Sequence, residues 1–191
     1  TIQFYFSMSI LIWVLIVLAA FIILEFIYYF NKFVLLGNRI DNSLAQIDVQ
    51  LKKRADLVPN LISTVKGYVK HESAMINKVT EARKALLSAK DITSKVKAGN
   101  QLQTALKSIF ALAEQYPNLK ANENFLQLQQ ELASIEDKVA YSRQFYNDSI
   151  LDYNNSVQSF PGNFFSSFYG KKQKEFLKIE AEARALPKVE F

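Results

Sequence analysis

Hydrophobic side chains recur every three or four positions between Arg39 and Arg83, which is the repeat of a helix that buries one face. Polar residues break the repeat at Arg54 and Glu72. Pro59 removes one backbone hydrogen bond, and we expect a kink there rather than an end because the repeat resumes beyond it. The positions of this central seam are Ile40, Leu44, Ile47, Leu51, Val58, Leu61, Val65, Tyr68, Met75, Val79 and Ala82.

A second seam runs at heptad spacing over residues 122–159. The two seams predict long helices that pack against each other in an all-α fold. Between them the pattern predicts a shorter helix over residues 102–113. Residues 99–100 and the polar stretch 88–94 are expected to separate it from the central helix. The second seam consists of Phe125, Leu128, Leu132, Ile135, Val139, Ser142, Tyr146, Ser149, Tyr153 and Val157.

The segment 4–24 is uncharged and mostly apolar. As a helix it would be about 32 Å long, which matches the hydrocarbon core of a bilayer. Aromatic residues gather at both of its ends, where rings prefer the headgroup layer. A buried core helix can have the same composition, whereas a signal peptide should open with positive charge, which is missing here. We therefore predict one membrane-spanning anchor that includes Phe4, Tyr5, Phe6, Trp13, Phe26, Tyr28, Tyr29 and Phe30.

Charges around the apolar segment predict its orientation. Lys32 and Arg39 follow it and Lys52 opens a further basic triplet, whereas the residues before it have only a terminal amine. Since Lys and Arg are retained in the cytoplasm, we expect the N-terminus outside and the rest inside. Glu25 is either an interfacial carboxylate that reaches water or one at lipid depth that serves transport or oligomer register. Because the hydrophobic pattern continues through Gly37, we expect the anchor and the central helix to be nearly continuous.

These patterns predict an anchor at residues 1–30, a long-helix bundle at 31–160 and a C-terminal segment at 161–191. The last segment mixes aromatic residues with lysines. Such a composition suits a membrane interface or a partner's groove, and it equally suits a last helix packed on the bundle. Its candidate interface residues are Phe164, Phe165, Phe168, Tyr169, Lys171 and Lys172.

Composition narrows the chemistry that the chain can perform. It has no Cys and one His, His71, so disulfides, thiolate sites, His clusters and most His-based triads are excluded. The 23 basic and 18 acidic residues give a net charge of +5 and alternate along the helices. This alternation is typical of a solvated helix surface and argues against a nucleic-acid partner.

Charged residues in the middle of the central seam have a structural interpretation. The basic triplet 52–54 lies within one helical turn of Asp48 and Asp56, and we expect surface ion pairs there. With Asp41, these acids are too scattered over the helix to converge on a metal ion. We therefore expect no catalytic residue, no cofactor and no metal.

Several runs of sequence resemble one known family in the same order. Residues 38–68 contain the runs NRIDN, AQIDVQLK, RADLVPNL and TVKGY, and later come YPNLKA, FLQLQ, YND, YN, FPGN and ALPKVEF. They are similar to the LemA family of bacterial membrane proteins from about residue 30 onward. The resemblance implies an N-terminal membrane helix, an antiparallel bundle of about four long helices and a place in the bacterial inner membrane. It brings no catalytic residues, although one branch of the family is associated with magnetosome membranes.

Three classes of function remain. The favoured one is a self-associating membrane scaffold, in which the lipid-bound anchors hold copies in one plane and a ring or filament forms. The alternative is an adaptor or regulator of a membrane protease or another membrane complex, for which a hydrophobic groove would be the sign. An enzyme is the least favoured class, since the chain lacks Cys and paired-acid motifs.

Overall fold

A computed structural model describes residues 2–69 and 72–177, although not the side chains of residues 2–7 and 9. All regular structure within these ranges is helical, which confirms the all-α fold with a long apolar N-terminal helix. The helices are α1 (Ile2–Lys66), α2 (Ser73–Ser88), α3 (Ile92–Ala113), α4 (Pro117–Lys120), α5 (Glu123–Gln158) and α6 (Gly162–Phe168).

The described residues form two compact units. Unit 1 contains those of Thr1–Asp41 and Asp148–Phe176, and unit 2 those of Asn42–Asn147 and Leu177–Phe191. Both units therefore contain part of α1 and part of α5, and each is described by itself below.

The first three helices of unit 2 alternate in direction. The chain reverses after α1, so that Arg83 Nε on α2 donates to the carbonyl of Ala55 at 2.8 Å. It reverses again after α2, and Lys95 Nζ near the start of α3 lies 2.6 Å from Asp48 Oδ2 on α1. α3 therefore runs in the same direction as α1, with α2 opposed to both.

The N-terminal part of α5 completes the bundle in the opposite direction to α1. Near the start of α5, the Asn122 Nδ2 donates to the Tyr68 hydroxyl at 3.0 Å. Further along α5, Glu136 pairs with Arg54. Unit 2 is thus an up-down-up-down four-helix bundle, which confirms the antiparallel arrangement of long helices that the sequence led us to expect.

Hydrophobic side chains from all four long helices fill the centre of unit 2. Burying one such side chain stabilises a fold by about 1.5–3 kcal/mol, so this core is the main source of stability for the bundle. Its fully buried members include Ile47, Val58, Leu61, Val65, Val79, Leu102, Ile109 and Phe125.

The near-continuity predicted between anchor and central helix is confirmed, because α1 runs without interruption through Gly37 and Pro59. The predicted extension of the central helix beyond residue 66 is wrong. α1 ends at Lys66, where the N–H of Gly67 turns back to the carbonyl of Thr64 at 3.2 Å. The hydrophobic repeat continues across this reversal because α1 and α2 face the same core.

The separator predicted at residues 99–100 is also wrong, since these residues lie inside α3. The helix begins earlier because Asp91 caps it, accepting from the N–H of Ser94 at 2.9 Å. Hydrogen bonds from Ser94 lower the pKa of Asp91. Gly99 packs closely against α1, because a Cβ there would lie 2.8 Å from Leu51 Cδ2 and that side chain would have to shift.

Arg54 occupies a buried position of the central seam, where the sequence predicted a polar break and surface ion pairs. It is 2% exposed, and its Nη1 donates to the carbonyl of Gly99 at 3.2 Å while Nη2 pairs with Glu136. Burial lowers the pKa of Arg54, and the Glu136 carboxylate partly offsets this effect. Of the basic triplet 52–54, Lys52 forms the exposed ion pair that we predicted, with its Nζ 3.6 Å from Asp56 Oδ2.

Replacing Glu136 by Ala is expected to lower the free energy of unfolding by about 2–3 kcal/mol, because Arg54 then keeps a buried charge without its carboxylate. Arg54→Met removes the charge itself and retains side-chain volume, so we expect a loss of about 1 kcal/mol. The measurement is urea unfolding of the chain in mild detergent, followed by circular dichroism.

The matched control for this prediction is Asp56→Ala, which breaks an exposed ion pair on the same helix and should cost less than about 1 kcal/mol. If Glu136→Ala were as harmless as Asp56→Ala, the Arg54 pair would contribute nothing to holding α1 against α5.

Candidate membrane interface

The N-terminal part of α1 is the one described helix that is long and apolar enough to cross a membrane, judged by length and composition. Every side chain of residues 10–24 is exposed, including Trp13 of the predicted anchor. The side chains of Phe4, Tyr5 and Phe6 lie outside the described residues. A helix that is apolar on all sides satisfies its backbone internally and needs lipid or protein around it.

Beyond this span, α1 turns one face towards the interior of unit 1. Tyr29 stacks on Phe165 of α6 with centroids 4.6 Å apart, and Phe33 meets Tyr153 of α5 at 6.3 Å. We predicted Tyr29 to face the headgroup layer, but its ring is buried because Phe165 covers it. The buried positions of α1 in this unit are Tyr29, Phe33, Leu36 and Ile40.

Phe26 is enclosed by the aromatic rings of α6 and the residue after it. The ring centroids of Phe165 and Phe168 lie 4.9 and 5.0 Å away, and those of Tyr169 and Phe164 at 6.2 and 6.4 Å, all edge-on. The Tyr169 hydroxyl also donates to the Phe26 carbonyl at 2.8 Å. Each such ring pair contributes about 0.5–1.5 kcal/mol beyond its burial. We call this cluster the aromatic collar; it consists of Phe26, Tyr29, Phe164, Phe165, Phe168 and Tyr169.

One side of the aromatic collar is open. Phe164 and Phe168 are 61% and 67% exposed, although both touch Phe26. Phe160, just before α6, is 87% exposed. α6 thus packs against α1 of the same chain through Phe165, which is one of the two arrangements that the sequence allowed. It also leaves Phe164 and Phe168 exposed on its outer side.

Lysines lie beside the collar on the side away from the apolar span. Lys32 Nζ is 5.6 Å from the ring centroid of Tyr29, and Lys174 Nζ is 5.5 Å from that of Tyr153. The Asn154 side chain holds the backbone of Lys174, because Nδ2 donates to its carbonyl at 2.9 Å and Oδ1 accepts from its N–H at 2.8 Å.

Lys171 and Lys172 of the predicted interface tail follow α6 directly. The N–H of Lys171 donates to the Ser166 carbonyl at 2.8 Å; its side chain is half-buried, and that of Lys172 is exposed. Two acids are also present, since Glu25 is half-buried at the end of the apolar span and Glu175 is exposed. The positive charge near the collar is therefore partly balanced.

The predicted central seam faces the interior of the protein. Leu44 is only half-buried, and Ser43 beside it takes the fully buried position. Tyr68 is 41% exposed, and Met75 and Ala82 are half-buried. The remaining seam positions are covered within one chain, so contacts between copies would have to use other residues. The buried members are Ile40, Ile47, Leu51, Val58, Leu61, Val65 and Val79.

Sequence reasoning missed the residues that hold α6 in place. Gly162 lies so close to α5 that a Cβ would overlap the carbonyl oxygen of Ser156, and it would come within 3.3 Å of Tyr29 Cε1. The Pro-Gly pair was visible in the sequence, but it predicts only that a helix ends. Asn154 was visible as one of several asparagines, and nothing local indicates that Lys174 is its partner.

No group of three His, Cys, Asp or Glu side chains in the described parts of the chain could hold a metal ion. His71 and residues 178–191, with the predicted tail end, lie outside the described residues. Unit 2 has open clefts, one of about 280 Å³ beside Leu106, Phe110 and Leu132.

An apolar spanning helix joined to a helical bundle defines a class of membrane-associated all-α proteins. The chain belongs to the LemA family, whose model matches residues 43–191. It is similar to Protein LemA of Metamycoplasma hominis, with 27% identity over 147 residues, which cover 73% of this chain and 67% of that protein.

Two magnetosome proteins are also similar to this chain. Magnetosome protein MamQ of Magnetospirillum gryphiswaldense is 22% identical over 173 residues, which cover 77% of this chain and 64% of that protein. Magnetosome protein MamQ 2 of Paramagnetospirillum magneticum is 28% identical over 74 residues, or 39% of this chain and 27% of that protein. The chain therefore spans about two thirds or less of the length of these relatives.

Gly162→Ala is expected to destabilise the protein by about 1–3 kcal/mol, because the new methyl group displaces α6 from α5 and Tyr29. Gly37→Ala is the matched control, since a Cβ at this α1 position meets nothing within 4 Å. It should stabilise the helix by about 0.5–1 kcal/mol. Thermal unfolding in mild detergent measures both, and equal effects of the two substitutions would contradict the close packing of α6.

Proposed function

We propose that the protein is a single-pass membrane scaffold without catalytic activity, anchored by residues 10–24 and assembled side by side in the membrane plane. The observation that supports this most is that α1 passes from its exposed apolar span into the aromatic collar without a loop. A flexible linker after residue 24 would leave the rest of unit 1 free to tumble above the bilayer. Because the aromatic collar holds α1 at Phe26 and Tyr29, the part of unit 1 beyond the span has one orientation relative to it, which a regular assembly needs.

Self-association is the second part of the proposal. Anchoring confines the copies to two dimensions and raises their effective concentration. The span is exposed around its whole circumference at residues 10–24, so van der Waals contacts between spans can compete with lipid contacts. Repetition of one such contact produces a ring if the rotation closes and a filament if it does not.

A second candidate function is an adaptor for another membrane protein, such as a protease. The cleft beside Phe110 and Leu132 favours it, because a hydrophobic side chain of a partner helix would fit a space of about 280 Å³. The cleft is small compared with a full helix-binding groove, so the scaffold remains the better proposal.

The mass of the full-length chain in mild detergent and in lipid nanodiscs tests self-association. We expect discrete particles whose protein mass is a multiple of 21.9 kDa. A variant with leucine at every position of 10–22 keeps an anchor and loses the shape of the native span. If this variant kept the native mass, the contact between copies would lie on a surface other than the span. A native chain that is monomeric in both media would refute the scaffold.

We also propose that the N-terminus lies outside a bacterial cell and that the helical part of the chain after the span lies in the cytoplasm. The fold adds Lys174 to Lys32 on the same side of the span, and the anionic cytoplasmic leaflet attracts such lysines. Because the chain has no Cys, a single introduced cysteine is its one thiol, and labelling of that thiol shows on which side of the membrane the residue lies. In intact cells, Lys172→Cys should resist a membrane-impermeant maleimide and Gln3→Cys should react; the reverse pattern would contradict this orientation.

A further inference from the structure

We propose that the open side of the aromatic collar lies in the bilayer interface, with Phe160, Phe164 and Phe168 inserted among the lipid headgroups beside the end of the span. The protein would then touch the membrane twice, through its span and through α6. This inference rests on the anchor of the proposed function and is independent of self-association.

The geometry of unit 1 places these phenylalanines at the end of the span. α5 runs beside α1 in the opposite direction, since Asp152 Oδ2 pairs with Arg39 Nη1 at 3.0 Å and the Tyr153 ring meets Phe33 at 6.3 Å. α5 continues towards the span for five residues after Tyr153, or about 8 Å at helical rise, and Phe160 follows its last residue, Gln158, by two positions. The rings of α6 lie at the level where the collar begins because they touch the first ring of the collar.

The exposed rings need a cover other than water. Phe164 and Phe168 both meet the ring of Phe26 and are exposed on their other side. Exposed apolar side chains gathered in a patch of this kind usually mark an interaction site. This patch continues the surface of residues 10–24, which has to face lipid if the span crosses a bilayer. Aromatic residues beside an apolar helix, with lysines such as Lys32 and Lys174 on the side away from the span, are typical of protein at the headgroup boundary. A lipid surface is therefore the occupant that requires no additional partner.

Charge and length agree with this depth. The charged residues close to the collar in sequence are Lys32, Lys171, Lys172 and Lys174, against Glu25 and Glu175. Lysines at this height reach phosphate groups while their stems stay near apolar atoms. If the collar marks one headgroup boundary, about 20 residues of helix cross the hydrocarbon core and reach the other boundary near residue 6. Residues 6–24 contain no charged side chain, and Glu25 lies at the collar end of this stretch.

Depth-dependent quenching by brominated lipids tests the inference in vesicles that contain the full chain. The native chain has one Trp, Trp13, which should be quenched by bromine near the bilayer centre. In a Trp13→Phe background, Phe160→Trp and Phe168→Trp should each be quenched more strongly by bromine near the headgroups than by bromine near the bilayer centre. Leu35→Trp in that background is the control, because Leu35 is 65% exposed and lies nine residues beyond Phe26 on α1, or about 14 Å.

Quenching of both collar probes by shallow bromine, with an unquenched Leu35→Trp, is the result that supports the inference. If Trp13 is deep and both collar probes behave like Leu35→Trp, the anchor stands and the second membrane contact is refuted. A blue-shifted but unquenched collar probe would show that protein, such as a second copy, covers the patch instead of lipid. An unquenched Trp13 would overturn the anchor and this inference together.

Discussion

One helix has to satisfy two surroundings, and the rest of the structure depends on this constraint. Between residues 10 and 24, α1 is apolar on every side, and from Tyr29 onward it buries only one face. The aromatic collar lies where the first pattern changes into the second. Aromatic rings suit this position because they present an apolar face to both neighbours, and Tyr169 also provides a hydroxyl for the Phe26 carbonyl.

Further along α1, the same buried face has to accommodate a charge. Arg54 takes the place that the repeat reserves for a hydrophobic residue, and it is tolerated because Glu136 and the carbonyl of Gly99 receive its donors. Gly99 has no Cβ, which would lie 2.8 Å from Leu51 Cδ2 on α1. The same residue of α3 thus packs closely against Leu51 and accepts a hydrogen bond from Arg54.

Features that depend on local periodicity could be predicted from the sequence, namely the apolar span, the bounds of α5 and the buried positions Ile47 and Val58. Features that depend on distant partners could not. The hydrophobic period does not change at Gly67, although the chain reverses there, because both helices meet one core. Likewise, no pattern near Phe26 indicates that Phe165 will reach it, since aromatic residues at a membrane boundary look the same whether they face lipid or protein.

The segment after α6 shows why such long-range pairing matters for the membrane interface. Residues 171–177 form no regular secondary structure, so their backbone groups need partners elsewhere. Asn154 supplies both a donor and an acceptor to Lys174, as a neighbouring strand would. This pairing fixes the height of Lys174 on α5, beside Tyr153. Two atoms of the Asn154 amide therefore fix the backbone position of Lys174, whose Nζ lies 5.5 Å from the ring centroid of Tyr153.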